Sequence, residues 1–359
     1  MRHKKIKILA FETSCDDTAV AVVENGKKVL SEVRVSQAQH NAWGGVVPEI
    51  AARLHAEKWK GALEECLKKA NLSMEEIDFL ACTQGPGLQT SLLIGNTAAS
   101  FLSLQHQKPL IPVHHIHGHI CSVFLERVEE ISFPALVLTV SGGHTQMHLF
   151  YSEVDGVMLG TTLDDAAGEA FDKVAKMLGL GYPGGPIVSE KAEKGDKKKY
   201  DFPKIYLEKD SLDFSFSGLK ASVYRLIEQV ESVDEIFITD VCASFEYTVG
   251  KIFLKKIERV LEKYPEIKSV FFVGGVSANQ YLKSVIREFL QHYCKNFFTP
   301  QNINFSTDNA AMIGSAAYFL VQKNPQIAKV QFVEADSRLC FLGSTKKNKS
   351  DTNGVSKSG

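Results

Sequence analysis

No stretch of this 359-residue sequence approaches the roughly 18 consecutive apolar residues that a membrane-spanning helix needs. The opening MRHKKIKILAFETS is basic and then briefly apolar, but the run stops at Glu12 with no small-residue cleavage site, so it reads as no signal peptide. An excess of one charge is lacking too. Lys+Arg number 41 against 42 Asp+Glu, so any nucleic-acid contact must come from a local patch or a partner. The seven cysteines are odd in number, scattered and never paired as C-x-x-C, which argues against a disulfide framework and a cysteine-rich zinc site. Neither G-x-x-x-x-G-K-[ST] nor G-x-G-x-x-G occurs, so the two common nucleotide fingerprints are missing. With 44% apolar and 23% charged residues, what remains is a reduced, cytoplasmic α/β protein with a sizeable core. Its length suits two domains of about 100–200 residues each.

What is present is a pattern that occurs twice. Residues 6–11 and 19–23 read as a β-hairpin around the polar turn Glu12–Thr18, and 135–140 and 146–150 read the same way around Ser141–Thr145. A strand at 77–82 runs into Gln84-Gly85-Pro86-Gly87 and a helix over 88–105; a strand at 267–273 runs into Gly274–Asn279 and a helix over 280–293. This is the signature of a duplicated α/β unit with its working face at strand ends and a cleft between the halves. The expected division is a first lobe over 1–130, completed by a helical region at 310–343, a second lobe over 131–309, and a polar, disordered tail over 344–359.

The sharpest chemical signal is His115-Ile-His-Gly-His119. On a helix, His115 and His119 lie one turn apart on one face, close enough to share a metal ion, although two histidines at this spacing also occur by chance. A zinc peptidase needs Glu after the first His; Ile116 stands there, so that reading loses its base. A carboxylate must come from elsewhere, and Asp308, before a small-residue helix, is a candidate whose ordinary alternative is a helix N-cap. Two hard or borderline donor types together suit Zn or Fe. The turns Glu12–Thr18, Ser141–Thr145 and Gly274–Asn279 are candidate nucleotide cradles, the glycine-bearing two exposing backbone N–H groups. Asp172 lies in a small-residue helix, Gly185 in a PGGP corner open to a ligand, and Ser215–Lys220 in a polar turn that reads as a substrate-contacting loop. Lys191–Lys199 and Lys220 are candidate contacts for a polyanionic partner.

The motifs ETSCDDT (12–18), GGVVPEIAARLH (44–55), QGPG (84–87), HIHGH (115–119), SGGHTQ (141–146), AFDK (170–173), YPGGP (182–186), SFSGLK (215–220), GGVSAN (274–279) and TDNAAMIG (307–314) together resemble one family. It is the tRNA N6-adenosine threonylcarbamoyltransferases, long misnamed O-sialoglycoprotein endopeptidases, in their bacterial and organellar form. The resemblance implies the actin/sugar-kinase/Hsp70 (ASKHA) fold, with two duplicated α/β lobes around an interlobe cleft. It implies one divalent metal ion, Fe2+ ahead of Zn2+, on His115, His119 and Asp308. It also implies threonylcarbamoyl-adenylate bound by Thr139, Val140, Ser141, Gly142, Gly143, Asp172, Gly185 and Asn279, with Asp16 and Asp17 as the catalytic acidic pair. Relatives often carry Glu at the second acidic position, here Asp17, and at the middle of the histidine motif, here His117. The implied reaction moves a threonylcarbamoyl group onto N6 of the adenosine 3′ of the tRNA anticodon, with a TsaB-like paralogue and a TsaE-like ATPase as partners. The rival readings are a nucleotide-hydrolysing or kinase member of the fold and a non-catalytic scaffold.

Overall fold

The computed structural model describes residues 5–37, 40, 45–208 and 210–341; Gly44 of the GGVVPEIAARLH motif and the 344–359 tail lie outside them. The strands β1 (Lys7–Glu12), β2 (Thr18–Glu24) and β3 (Lys28–Val35) form an antiparallel meander. Then come α1 (Pro48–Ala70), β4 (Phe79–Gly85), α2 (Gln89–His106), β5 (Leu110–His114) and α3 (His115–Cys121). A second meander, β6 (Ala135–Val140), β7 (Thr145–Phe150) and β8 (Gly156–Thr161), leads into α4 (Ala167–Met177), α5 (Gly184–Ala192), α6 (Ser217–Glu228) and α7 (Glu235–Lys263). The chain continues through β9 (Ser269–Val273), α8 (Gln280–Gln291), β10 (Asn296–Phe298) and α9 (Ala310–Lys323).

The two five-stranded sheets have the same topology. The first runs β3-β2-β1-β4-β5 and the second β8-β7-β6-β9-β10, each an antiparallel meander extended by two parallel strands. The duplication expected from the two hairpins is therefore a property of the strand order. The third strand of the first meander was not foreseen. Its signal is Asn25-Gly26, both at positive φ (52° and 68°), the pair that a tight hairpin turn requires.

Period-two burial assigns each sheet two faces. Leu9, Phe11, Val20 and Val22 pack outward on α1 and α2 through Ala62, Leu63, Ala99 and Leu102. Ile8, Ala10, Ala19 and Ala21 face inward, as do Ala135, Val137 and Val273 of the second sheet, and α3 and α9 fill the space between them. Leu136, Leu138, Val140 and Leu149 pack outward on α4 to α8. The result is five layers, α/β/α/β/α. The helix α9 fits because it is small: a Cβ at Gly314 would press to 2.8 Å of Val23 Cγ2. Among the described residues no helix is long and apolar enough to cross a membrane.

Candidate metal centre and cleft

The helix α3 begins where β5 ends. His114 closes the strand and caps the helix, its Nδ1 accepting the Ile116 N–H at 3.2 Å. One turn of α3 then brings the His115 and His119 rings to 4.7 Å between centroids, both buried. Asp308 approaches from the start of α9, its Oδ1 3.2 Å from His119 Nε2 and 3.6 Å from His115 Nε2. The N-cap alternative for Asp308 fails for a specific reason. Asn309 is the cap, accepting the Met312 N–H at 2.8 Å, while Glu32 Oε1 takes the Ala310 and Ala311 N–H groups at 2.9 and 3.2 Å. Arg34 holds the Asp308 carbonyl (3.2 Å) and the Thr307 hydroxyl (2.6 Å), leaving the Asp308 carboxylate to the histidines.

These three side chains fit a divalent cation. Their ligand atoms all lie within 4.8 Å of one another. His119 is fully buried, and neither ring nitrogen makes a well-aligned hydrogen bond among the described residues, Nε2 having only the 3.2 Å approach of Asp308 Oδ1, an arrangement that is costly unless something else satisfies it. Two imidazoles and one carboxylate are a donor set for Fe2+ or Zn2+ with open positions. Glu12 adds a further layer that sequence reasoning missed. Its buried carboxylate accepts from the Thr83 hydroxyl and the Ser14 N–H and stands 3.3 Å from His115 Nδ1, which turns the His115 Nε2 toward Asp308. Burial disfavours charge on His115, but Asp308 and Glu12 outweigh it and raise its pKa to about 9. Burial also opposes ionisation of Asp308, and His115 and His119 hold it well below the carboxylate range all the same. The site is built for positive charge. His144 lies close by, its ring 6.4 Å from His115; burial and the two other histidines press its pKa to about 4. His117 belongs elsewhere, with Nε2 on the Glu153 carbonyl at 2.8 Å.

The remaining site residues divide by what their side chains can reach. Gly142 and Gly143 are exposed at the β6–β7 turn, and a Cβ on either, or on Gly185, would meet nothing within 4 Å. Ser141 closes that turn, its N–H on the His144 carbonyl at 2.8 Å and its hydroxyl accepting the His144 N–H at 3.2 Å. Thr139 and Val140 are strand residues whose side chains are buried on opposite faces of the second sheet. Asp172 accepts the Gly184 N–H at 2.7 Å and so braces the YPGGP corner. Asn279 is occupied as well. It caps α8 through the Leu282 N–H at 2.8 Å and donates both amide hydrogens, to Ser189 Oγ (2.6 Å) and Glu246 Oε1 (2.5 Å).

In the acidic turn, Asp17 is held by the Ser36 hydroxyl near Arg34, and burial raises its pKa above the ordinary range. Asp16 is half-buried. Burial, then Asp172 and Asp16, push the Tyr182 phenol to about 12, which puts this unforeseen tyrosine between the acidic turn and α4. His55 of α1, also missed, holds the turn with Nε2–H on the Cys15 carbonyl at 2.9 Å and Nδ1 on the Thr18 hydroxyl at 2.7 Å.

The SFSGLK turn wraps Asp164, whose carboxylate accepts from the Ser215 and Ser217 hydroxyls (2.6 and 2.8 Å) and from the Phe216 and Ser217 N–H groups (2.8 and 3.3 Å). Asp164→Ala is expected to cost about 2 kcal/mol in urea unfolding, the scale of lost hydrogen bonds to a charged group at a partly exposed site. Lys220 is likewise committed, to Asp165 at 2.5 Å. Of the basic run, Lys191 pairs with Glu235 at 2.6 Å, while Lys194, Lys197, Lys198 and Lys199 are exposed.

The architecture is that of the actin/sugar-kinase/Hsp70 class. Similar folds are HypF of T. kodakarensis (TM-score 0.59, 14% identity, 89% of this chain and 48% of that one) and component A of the Acidaminococcus fermentans (R)-2-hydroxyglutaryl-CoA dehydratase (TM-score 0.52, 16% identity, 88% and 99%). Within that class the sequence is specific. The family described as tRNA N6-adenosine threonylcarbamoyltransferase matches residues 28–315. Relatives of that name include those of Staphylococcus haemolyticus strain JCSC1435 (45% identical, 89% of this chain and 93% of theirs) and Bacillus subtilis strain 168 (44%, 89% and 92%). The chain belongs to the tRNA N6-adenosine threonylcarbamoyltransferase family.

Proposed function

We propose that this protein transfers the threonylcarbamoyl group of threonylcarbamoyl-adenylate to N6 of adenosine 37, 3′ of the anticodon, in tRNAs reading ANN codons, and releases AMP. The observation that carries the reading is the convergence of His115, His119 and Asp308 within 4.8 Å, in a fold whose Gly142-Gly143 turn leaves open space beside its backbone. His115, His119 and Asp308 would hold a divalent ion, Fe2+ or Zn2+, which when bound would supply Lewis acidity toward carbonyl and phosphate oxygens. The protein does the rest. Gly142 and Gly143 offer backbone N–H groups to the phosphate, where negative charge grows as AMP leaves. Asp172 and Asn279 act by bracing the corners at Gly185 and Gly274–Asn279, not by reading the ligand directly. The adenosine N6 attacks the carbamoyl carbon, the bond from that carbon to the phosphate oxygen breaks, and the N6 proton passes to Asp16. Asp17, tied to Ser36, supports the turn. Asp16→Ala is expected to lower single-turnover transfer about 100-fold with adenylate saturating, the scale of general-base assistance.

The tRNA meets a local basic face. Lys194, Lys197, Lys198 and Lys199 supply it, with Lys197 standing 5.7 Å over the Tyr281 ring. Replacing all four with Glu is expected to weaken tRNA binding and flatten its salt dependence by about one unit of log–log slope per lost phosphate contact. An unchanged slope would remove the patch from the interface. The TsaB-like paralogue docks on the first lobe, a reading supported by Leu93, Phe101 and Leu104 of α2, which are about half exposed (48, 55 and 50%). A TsaE-like ATPase completes the assembly, and a tRNA substrate makes the enzyme cytoplasmic. The test is to supply adenylate and unmodified tRNA and map the product. Threonylcarbamoyl on N6 with stoichiometric AMP supports the proposal; steady ATP hydrolysis without tRNA, and no modified nucleoside, would favour the kinase-like reading.

A further inference from the structure

The QGPG turn at the end of β4 is absorbed by none of this chemistry, yet it is among the most heavily engaged turns of the first lobe. The chain leaving α9 passes the β5 edge of the first sheet, with the Leu110 N–H on the Lys329 carbonyl at 2.7 Å and the Val333 N–H on Ser100 Oγ at 3.0 Å. It then settles on the turn. Gln84 Nε2 donates to the Glu334 carbonyl (3.3 Å), the Asp336 N–H to the Gln84 carbonyl (2.9 Å), and Gln89 exchanges hydrogen bonds with Ala335 (3.2 Å) and Ser337 (3.1 Å). Gly85 is a glycine because of this: a Cβ there would overlap the Asp336 carbonyl.

Beyond the turn, the same segment reaches the metal helix. The Leu339 carbonyl accepts from His114 at 3.1 Å. Since a carbonyl only accepts, His114 carries its proton on Nε2, and Nδ1 is left to accept the Ile116 N–H and cap α3. The Phe341 ring closes the contact, 4.8 Å from His114 and 5.0 Å from His148. The other side of the turn also leads to the site. The Leu88 N–H holds the Ser14 carbonyl at 2.8 Å, a Cβ at Gly87 would crowd Ser14, and Ser14 Oγ stands 3.2 Å from His115 Nδ1.

We propose that the QGPG turn, with the 334–341 segment docked on it, is a positioning element for the metal-binding histidines, acting through His114 on the start of α3 and through Ser14 on His115. The proposal rests on the metal reading of His115, His119 and Asp308. Its residues touch neither metal nor substrate; they fix the angle at which His115 and His119 are presented.

The test uses Co2+ as probe on the full chain, with affinity from chelator competition and ligand geometry from the visible d–d absorption. Gly85→Ala is expected to lower Co2+ affinity about 10–100-fold, the usual cost of disturbing the groups that orient metal ligands, and to alter the spectrum. Amide exchange should quicken at 334–341 in the same variant. His114→Phe keeps a ring against Phe341 but removes both hydrogen bonds; it is expected to lose similar affinity while 334–341 stays protected. His114→Asn, whose amide oxygen can cap Ile116, is expected to return affinity to within about threefold of wild type. Combining Gly85→Ala with His114→Phe should cost little more than either alone, because both act on one connection. Wild-type affinity and spectrum in Gly85→Ala despite lost protection would overturn the proposal, as would wild-type affinity in His114→Phe should Gly85→Ala not fold. A wild-type chain that binds no Co2+ would overturn this and the metal reading together; tight wild-type binding with unaffected variants would overturn only this.

Discussion

His119→Ala is expected to abolish stoichiometric metal binding and to lower threonylcarbamoyl transfer by about 1,000-fold or more, while the metal-free protein keeps its fold. The activity loss follows from removing a ligand whose ion is asked for several kcal/mol of charge stabilisation, at a factor of ten for each 1.36 kcal/mol. The preserved fold follows from the burial of His119. Neither nitrogen makes a well-aligned hydrogen bond among the described residues, Nε2 meeting only Asp308 Oδ1 at 3.2 Å, so the cavity left by the ring is partly offset by the loss of two poorly satisfied polar atoms. A ligand bound only by the native state raises the melting temperature with its concentration. Thermal scans with and without Fe2+ or Zn2+ should therefore show a metal-dependent rise in the wild type and none in His119→Ala. A variant that keeps that rise would remove His119 from the ligand set.

Gly142→Val is expected to lower kcat/KM for the adenylate roughly 100-fold, comparable to losing a donor at a site of developing negative charge, with no measurable loss of stability. Both halves come from one observation. A Cβ at Gly142 meets nothing within 4 Å, so the branched side chain costs the fold nothing and occupies space that the proposal gives to the ligand phosphate. Gly168 provides the contrast. A Cβ there would overlap the Ser141 carbonyl, so Gly168→Val should damage folding and catalysis together. If Gly142→Val left kinetics and adenylate affinity at wild-type values, the β6–β7 turn would not be the phosphate cradle.

The three residues of the candidate metal centre were named from the sequence, the two histidines by their helical spacing and Asp308 by the family resemblance. His115 and His119 share a face at helical spacing, and Asp308 stands at a helix start where Asn309 takes over capping. The duplication was legible through the repeated hairpins, although β3, β5, β8 and β10 were not. What lay beyond reach depends on contacts between distant residues. Glu12 is 103 positions from His115, and nothing local distinguishes a carboxylate that orients an imidazole from one that ends a strand. The strand β3 is a half-buried edge whose alternation is interrupted at Val29-Leu30, where its register against β2 shifts, and its Glu32 and Arg34 take over the N–H groups at the start of α9 and the Asp308 carbonyl. Asn279, Asp172 and the SFSGLK turn were named from the sequence without the side-chain hydrogen bonds that hold them in the fold. Their partners, Glu246, Gly184 and Asp164, lie 33, 12 and 51–53 residues away.

The central claim joins one reaction to one set of ligands, and one measurement bears on both. Preformed threonylcarbamoyl-adenylate and unmodified tRNA are mixed with an excess of wild-type protein or His115→Ala, with the TsaB-like paralogue and TsaE-like ATPase present, and N6-threonylcarbamoyladenosine is followed over a single turnover. The account predicts modified nucleoside from the wild type and almost none from His115→Ala, whose metal content falls in parallel. Equal product from both, or adenylate that stays bound and unreacted with the wild type, would contradict it.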